Sequence, residues 1–461
     1  MSHSVPRRYG LPYDSTMGDS SLLGTVYSSG VFISHASRVR SAGELRAGDT
    51  MSRHQQRKRY LAQLLEALPQ AFARKKLDVW IDRREVSAGD EFDQAVCLSL
   101  IRCSATVVLV DRDALDSEYM QEEARLLGWR KILEPELQIV PVLLGDVTAL
   151  DFARSPLGRS GGLSHLSVLT PASRKQNRLV AQKTAIEVSN HIDLVPLAPK
   201  AARWVNDLAH FIGQAPAHAL DEAARSLGIP ADTLAAHREK HALVAAALLN
   251  SDLRDAFVVM RTLAEYLPQE DRRAAVRRVV PLWVDLDDAR MLMRVMDVPP
   301  ERRIVHLIAG RLLPAGHAVL RAGASQDNVQ MAELSSIAGE DMAAELIARY
   351  DDKLRSAMNF EPGDGPDEVH EYMSMVNTVA FALIKCDQVP PPVIREVLLV
   401  LIKRFPGVVF ALVSDTAGRL AKTIHGPRIN LASDEQSDRR TWHLIKQVES
   451  LAGTSAGTDV G

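Results

Sequence analysis

Residues 103–130, CSATVVLVDRDALDSEYMQEEARLLGWR, decide the fold class. The run ATVVLVD (105–111) is apolar at nearly every position, so both faces of the strand it forms need cover, as in a parallel sheet. Ser117 then offers a capping oxygen, Glu118 sits in the first turn, and apolar residues continue at helical spacing to Trp129. A buried strand feeding a capped helix is one step of an alternating α/β fold.

The same alternation extends to both sides. Upstream, Val31, Phe32 and Ile33 form a short apolar strand. A polar, basic stretch (38–60) reads as a long loop or helix lead-in, and 61–76 has helical periodicity despite Pro69. LDVWID (77–82) is β-rich, RREVSAGDEF (83–92) is a loop turning at Gly89, and 93–104 is helical with Asp93 as its first acid. Downstream, LQIVPVLLGD (137–146) is a further strand. Ligands of such sheets gather at the carboxyl ends of the strands.

Beyond residue 150 the character changes. Residues 151–178 are Gly- and Ser-rich and read as an irregular excursion, followed by amphipathic helices over 179–192 and 201–213 and a linker at QAPAHA (214–219). From about 220 onward helices dominate, over 239–249, 253–267, 288–296 and 367–385. GHAVLRAG (316–323) and GVVFALVSD (407–415) read as β-like intrusions. The domain plan is a lead over 1–27, an α/β unit with a helical extension over 28–215, a mainly helical region over 216–450 and a tail over 451–461.

Bulk properties exclude several classes. A net charge of −3 favours neither nucleic acid nor an anionic membrane. No apolar run reaches the length of a membrane span, and 1–21 has no signal-peptide core. Three cysteines without metal-ligand spacing suit a reducing cytoplasm. HREKH (237–241) lacks the order of a zinc protease, no phosphate-binding P-loop occurs, and no metal is expected. LDEAARSLGIPADTL (220–234) has a helix-turn-helix look, but the missing basic residues favour an αα-hairpin over a DNA reader. RHQQRKRY (53–60) could meet phosphate, with a solvated basic face as the plainer reading.

Four pieces in order, VFISHAS (31–37), LDVWIDRREVSAGDEF (77–92), CSATVVLVDRDALDSEYMQEEA (103–124) and IVPVLLGD (139–146), resemble a TIR domain. The resemblance implies a flavodoxin-like parallel sheet flanked by helices, here followed by a mainly α-helical C-terminal domain. Many TIR domains hydrolyse NAD+ at the nicotinamide–ribose bond. The family's catalytic carboxylate closes a Trp-x-x-x-Glu segment, which here runs from Tyr119 to Glu123, so Glu123 takes that role and Tyr119 replaces the tryptophan. NAD+ is then a substrate, and no cofactor is implied. Phe32, Ser34, His35, Trp80, Asp82 and Tyr119 are the implied substrate-binding residues. The loop with Ser87, Gly89 and Asp90 corresponds to one that gates the site and contacts the next subunit, so self-association is expected.

Helix geometry separates the neighbouring acids. Tyr119 and Glu123 share a face, whereas Glu122 points roughly 100° away and reads, like Glu118, as a first-turn acid beside the helix dipole. Bacterial members of the family commonly act in antiphage defence, which makes the C-terminal region a candidate sensor of an activating signal. Residues 279–292 and the strand near 407–415 faintly resemble inactive NTPase-like modules fused to such effectors. The rival functions are a non-enzymatic TIR scaffold and a DNA-binding regulator using 220–240.

Overall fold

The computed structural model describes residues 30–36, 51–81, 94–171, 177–193, 200–236, 238–309, 311–324, 328–335, 342–358, 360, 365, 367–369, 371, 379–415, 420–431 and 435–453. The first unit alternates β1 (Gly30–His35), α1 (Met51–Ala73), β2 (Asp78–Ile81), α2 (Gln94–Arg102), β3 (Ala105–Val110), α3 (Glu118–Leu133) and β4 (Gln138–Leu143). The strands form one parallel sheet in the order β2-β1-β3-β4. The order reverses between β1 and β3, which creates the crevice where doubly wound sheets place their ligands.

Every residue of β1 and β3 is buried, as expected for strands covered on both faces. Val31, Ile33, Val107 and Leu109 pack on one side with Leu64, Leu68 and Phe72 of α1 and with Val188 of the helix α6 introduced below. Phe32, Val108 and Val110 point to the other side, toward Leu100, Leu127 and Trp129 of α2 and α3.

The chain continues through α4 (Ala149–Arg154), α5 (Pro156–Arg159), α6 (Arg178–Asn190) and α7 (Lys200–Ile212). Residues 149–165 are thus ordered short helices rather than an irregular excursion. Thr148 and Asp151 form a reciprocal capping box, Ser155 caps α5, and Gly161 and Gly162 supply the left-handed backbone that turns the chain. Gly161 and Gly128 let this turn press against α3, because a Cβ at either position would collide with backbone of the other segment.

Next come α8 (Ala217–Ser226), α9 (Ala231–Ala236), α10 (Lys240–Leu249), α11 (Leu253–Ala264), α12 (Gln269–Val279) and α13 (Leu286–Arg294). α8 begins inside the expected linker, and α8 and α9 form a short hairpin around Gly228 at φ 70°. The helix-turn-helix candidate buries Ala223, Ala224, Leu227 and Leu234, which is a packing role.

A second sheet follows within this mostly helical region. Its elements are β5 (Ile304–Ile308), α14 (Leu312–Gly323), β6 (Val329–Leu334), α15 (Met342–Met358), β7 (Val379–Lys385), α16 (Pro391–Arg404), β8 (Val408–Ser414), α17 (Leu420–Thr423), β9 (Arg428–Asn430) and α18 (Glu435–Leu451). The five strands are parallel in the order β6-β7-β8-β5-β9. Two expectations are corrected here. GHAVLRAG belongs to a helix, α14, and VAFALIK of the expected helix 367–385 is a strand, with its apolar run buried in the second sheet. The strand expected in 407–415 is β8.

The two units share one apolar core, so cover does not stop at residue 215. Trp129 of α3 is fully buried and donates its Nε1–H to the carbonyl of Ala322 in α14, at 3.3 Å. The Cys97 thiol of α2 donates to Ala246 O of α10 at 3.3 Å, and Arg102 pairs with Glu239 at 3.0 Å. Among the described residues, no helix is long and apolar enough to cross a membrane.

Candidate active site

Ser34 and His35 end β1, in register with Val108 and Leu109 of β3, so they stand at the reversal point of the first sheet. Glu123 lies one turn into α3, which Ser117 starts by accepting the Met120 N–H. The two elements meet through a hydrogen bond from the Ser34 hydroxyl to the Glu123 carboxylate. Both residues are buried, each at 1% exposure. A carboxylate removed from water and aligned by a hydroxyl is a rigid acceptor, held where its charge is least screened.

Glu122 occupies a different environment. It is half-buried and pairs with Arg125 at 3.2 Å on the side of α3 that faces α13. Burial pushes its carboxyl above the usual range, Arg125 opposes that, and Asp287, Asp285 and Glu118 add to it. Tyr119, one turn before Glu123, is partly buried against the core.

The other implied pocket residues are not all brought together. Phe32 is 1% exposed and belongs to the core beneath the sheet. Trp80 pairs in register with Phe32, and its ring covers Gly30 at the amino end of β1. Its backbone is therefore level with Phe32, two strand residues or roughly 7 Å short of Ser34, and its ring leans toward the amino end, away from the Ser34–Glu123 pair. His35 is buried at the carboxyl end beside Ser34. Asp82, Ser87, Gly89 and Asp90 lie outside the described residues.

One cluster at the same edge was missed in the sequence. α1 starts ten residues earlier than its apolar periodicity indicates and turns part of the basic stretch inward. Lys58 donates to Ala36 O at 3.1 Å and pairs with Asp111 at 3.4 Å and Asp113 at 3.0 Å. His54, 1% exposed, lies one turn before it, with Nδ1 3.6 Å from Asp113. Asp111 Oδ1 also accepts the N–H groups of Asp113 and Ala114, at 3.0 and 2.9 Å. The signal was available: Asp111 closes the most apolar strand, and His54 and Lys58 are four apart on one helical face. These two basic residues are therefore neither a solvated face nor open to phosphate.

Among the described residues no group of His, Cys, Asp and Glu could hold a metal ion. All three cysteines are free and buried, and burial pushes the Cys97 thiol up to about 12, which makes it a poor nucleophile.

Residues 54–180 match the TIR domain family model, a span that includes Trp80, Tyr119 and Glu123 and begins after Ser34 and His35. The first unit of this chain is a TIR domain. No curated protein matches the chain.

Proposed function

We propose that the TIR domain is an NAD+ hydrolase whose catalytic carboxylate is Glu123. The observation that carries this reading is the Ser34–Glu123 hydrogen bond at the reversal point of the parallel sheet. One carboxylate is enough for this chemistry. An ordinary glycosidase needs a second, acidic group because its leaving oxygen must be protonated. Nicotinamide departs with the electron pair of the C–N bond and becomes neutral, so no acid is required. Glu123 then stabilises the cationic ribose and orients its hydroxyls, and Ser34 fixes the carboxylate. Water adds to the anomeric carbon and loses a proton, giving ADP-ribose; attack by an atom of the same molecule instead gives a cyclic product.

On this reading the chain is an antiphage-type effector acting in the cytoplasm. Self-association of TIR domains and a signal received by the C-terminal region would set its activity, because uncontrolled loss of NAD+ is toxic. The shared core bears on how this can be tested: a fragment ending at 215 would uncover Trp129, Cys97 and the buried face of α7. The full chain is the proper object.

The test is nicotinamide release by concentrated full-length protein. Glu123→Gln should abolish release, Ser34→Ala should lower kcat by about tenfold or more, and Glu122→Gln should retain most activity. Equal loss in the Glu122 and Glu123 variants would overturn the assignment. No release by the wild type under any assembly condition would leave the TIR scaffold as the better reading.

A further inference from the structure

A second site is built into the C-terminal region. Two adjoining cavities, of about 140 and 250 Å³, share Arg277, Pro281 and Leu320 in their walls. Together they reach the lower range of small-molecule pockets, roughly 300 Å³ and above. Trp204 and Phe211 of α7 form an aromatic wall, and Arg277, Arg278 and Arg321 line the same space. Arg273, His317 and Glu449 line the continuation.

Two arginines in these walls, Arg277 and Arg321, form no ion pair among the described residues. Arg321 is 6% exposed, makes one hydrogen bond, from Nη2 to Leu249 O at 2.7 Å, and has no partner for its buried Nε. Burial lowers its guanidinium to about 10, with Asp285 and Cys97 opposing. Arg277 is exposed at the cavity mouth and in no ion pair among the described residues. Arg278 is committed to Asp207, and Arg273 donates to Ala452 O at 3.3 Å. Among the described residues Glu449 is the single carboxylate in the walls, and burial pushes its carboxyl up, with Lys446 opposing.

A buried guanidinium without an ion-pair partner weakens the fold, and a methionine or leucine would fill the same space more favourably. Its retention beside a second uncommitted arginine, in a hollow with aromatic walls, is what a ligand anion requires. Planar guanidinium groups grip phosphate through paired N–H donors. We propose that this hollow binds a small organic phosphate of nucleoside-monophosphate size, its phosphate on Arg277 and Arg321 and its apolar or aromatic part against Trp204 and Phe211. The inference does not depend on NAD+ cleavage by Glu123.

The experiment is thermal-shift and calorimetric titration of the full-length chain with AMP, inorganic phosphate and adenosine. AMP should raise Tm and bind, phosphate should bind more weakly, and adenosine should give no shift. Arg277→Gln, at an exposed position, should weaken AMP binding at least tenfold. Arg321→Met should abolish binding while raising or preserving the Tm of the free protein. Should Arg321→Met fail to fold, the Arg277 comparison alone decides. No AMP binding at millimolar concentration, or binding that survives Arg277→Gln, overturns the proposal. Binding lost in Ser34→Ala but kept in Arg277→Gln would assign AMP to the TIR edge and overturn it equally. Loss of NAD+ cleavage in Glu123→Gln with AMP binding intact separates this site from the first.

Discussion

Replacing Glu134 by alanine tests the joint that holds α3 in place. Arg130 and Glu134 are buried at the end of that helix, and the carboxylate takes Nε at 3.0 Å and Nη2 at 2.5 Å. The remaining nitrogen, Nη1, donates to Leu100 O and to Cys103 O at the end of α2, and Glu134 Oε1 accepts Ala201 N–H from the start of α7 at 3.0 Å. One ion pair therefore ties three helices together. Burial opposes the charge on Arg130 most strongly, but Glu134 and Cys103 together outweigh it and hold the guanidinium above its ordinary range. Removing one partner of a buried pair leaves an uncompensated charge, at a cost of about 3–5 kcal/mol. Glu134→Ala should lose that much in urea unfolding followed by tryptophan fluorescence. The double variant Arg130→Met, Glu134→Leu should lose less than the sum of its single changes, because it removes both charges. It still removes the Arg130 donor from Cys103 O and the Glu134 acceptor from Ala201 N, at about 1–3 kcal/mol each, while Leu100 O keeps the Cys103 thiol as a donor. A loss under about 1 kcal/mol for Glu134→Ala, or strict additivity in the double variant, would refute the argument.

The remaining predictions concern the surroundings of α3. Burial, with Asp285 and Asp287, raises the Asp288 carboxyl to about 6. A raised carboxylate pKa favours the protonated folded form, so stability from this group is present below about pH 4 and lost as pH rises through 6. Asp288→Asn should therefore raise Tm at pH 7, with the gain fading at pH 4; an equal gain at both pH values would contradict the assignment. Gly161→Ala would drive a Cβ into the Ala124 carbonyl on α3, beside Glu123, from a backbone at φ 59°. It should destabilise by about 2 kcal/mol or more and lower nicotinamide release; an unchanged Tm would show that the turn can move away freely. Trp129→Phe keeps most of the buried volume but deletes the bond to Ala322 O, so it should cost about 1–3 kcal/mol in chemical denaturation. Stability equal to the wild type would remove this contact as a tie between the units.

The first sheet could be read from the sequence because each strand is a short apolar run punctuated by turn residues. Ser117 and the register of Ser34 with Val108 then bring Glu123 to the reversal point, which a sequence reading reaches only through the motif. The second sheet was largely hidden. β5 is interrupted by His306, which survives burial by bonding Ile424 O at 3.0 Å, with burial lowering its pKa. The apolar run of β7 suits a buried helix as well as a strand, and periodicity does not separate the two. The run read as a strand within α14 starts and ends on Gly316 and Gly323, yet Gly316 is inside the helix and Gly323 is needed where it passes close to Val329. The shared face of His54 and Lys58 is visible in the sequence, but the acids that receive them lie more than fifty residues away, so only the fold pairs them.

The packing around α3 places the two proposed sites on one physical path. Arg321 lines the arginine-rich hollow, and the next residue, Ala322, accepts the Trp129 Nε1–H from α3. Glu123 lies six residues before Trp129 on the same helix. α13 packs against both α14 and α3, and its Asp287 stands 3.9 Å from Arg125 beside Glu122. An anion held by the proposed site on Arg321 and Arg277 would bear on α14 and, through Ala322, on α3. Any such effect is a difference in ligand affinity between arrangements of α3, and it must act equally in reverse on substrate binding. Sequence separation gives no hint of this link, since Trp129 and Ala322 lie 193 residues apart. It exists because α2 and α3, which cover one face of the first sheet, are themselves covered by α10, α13 and α14 of the C-terminal region.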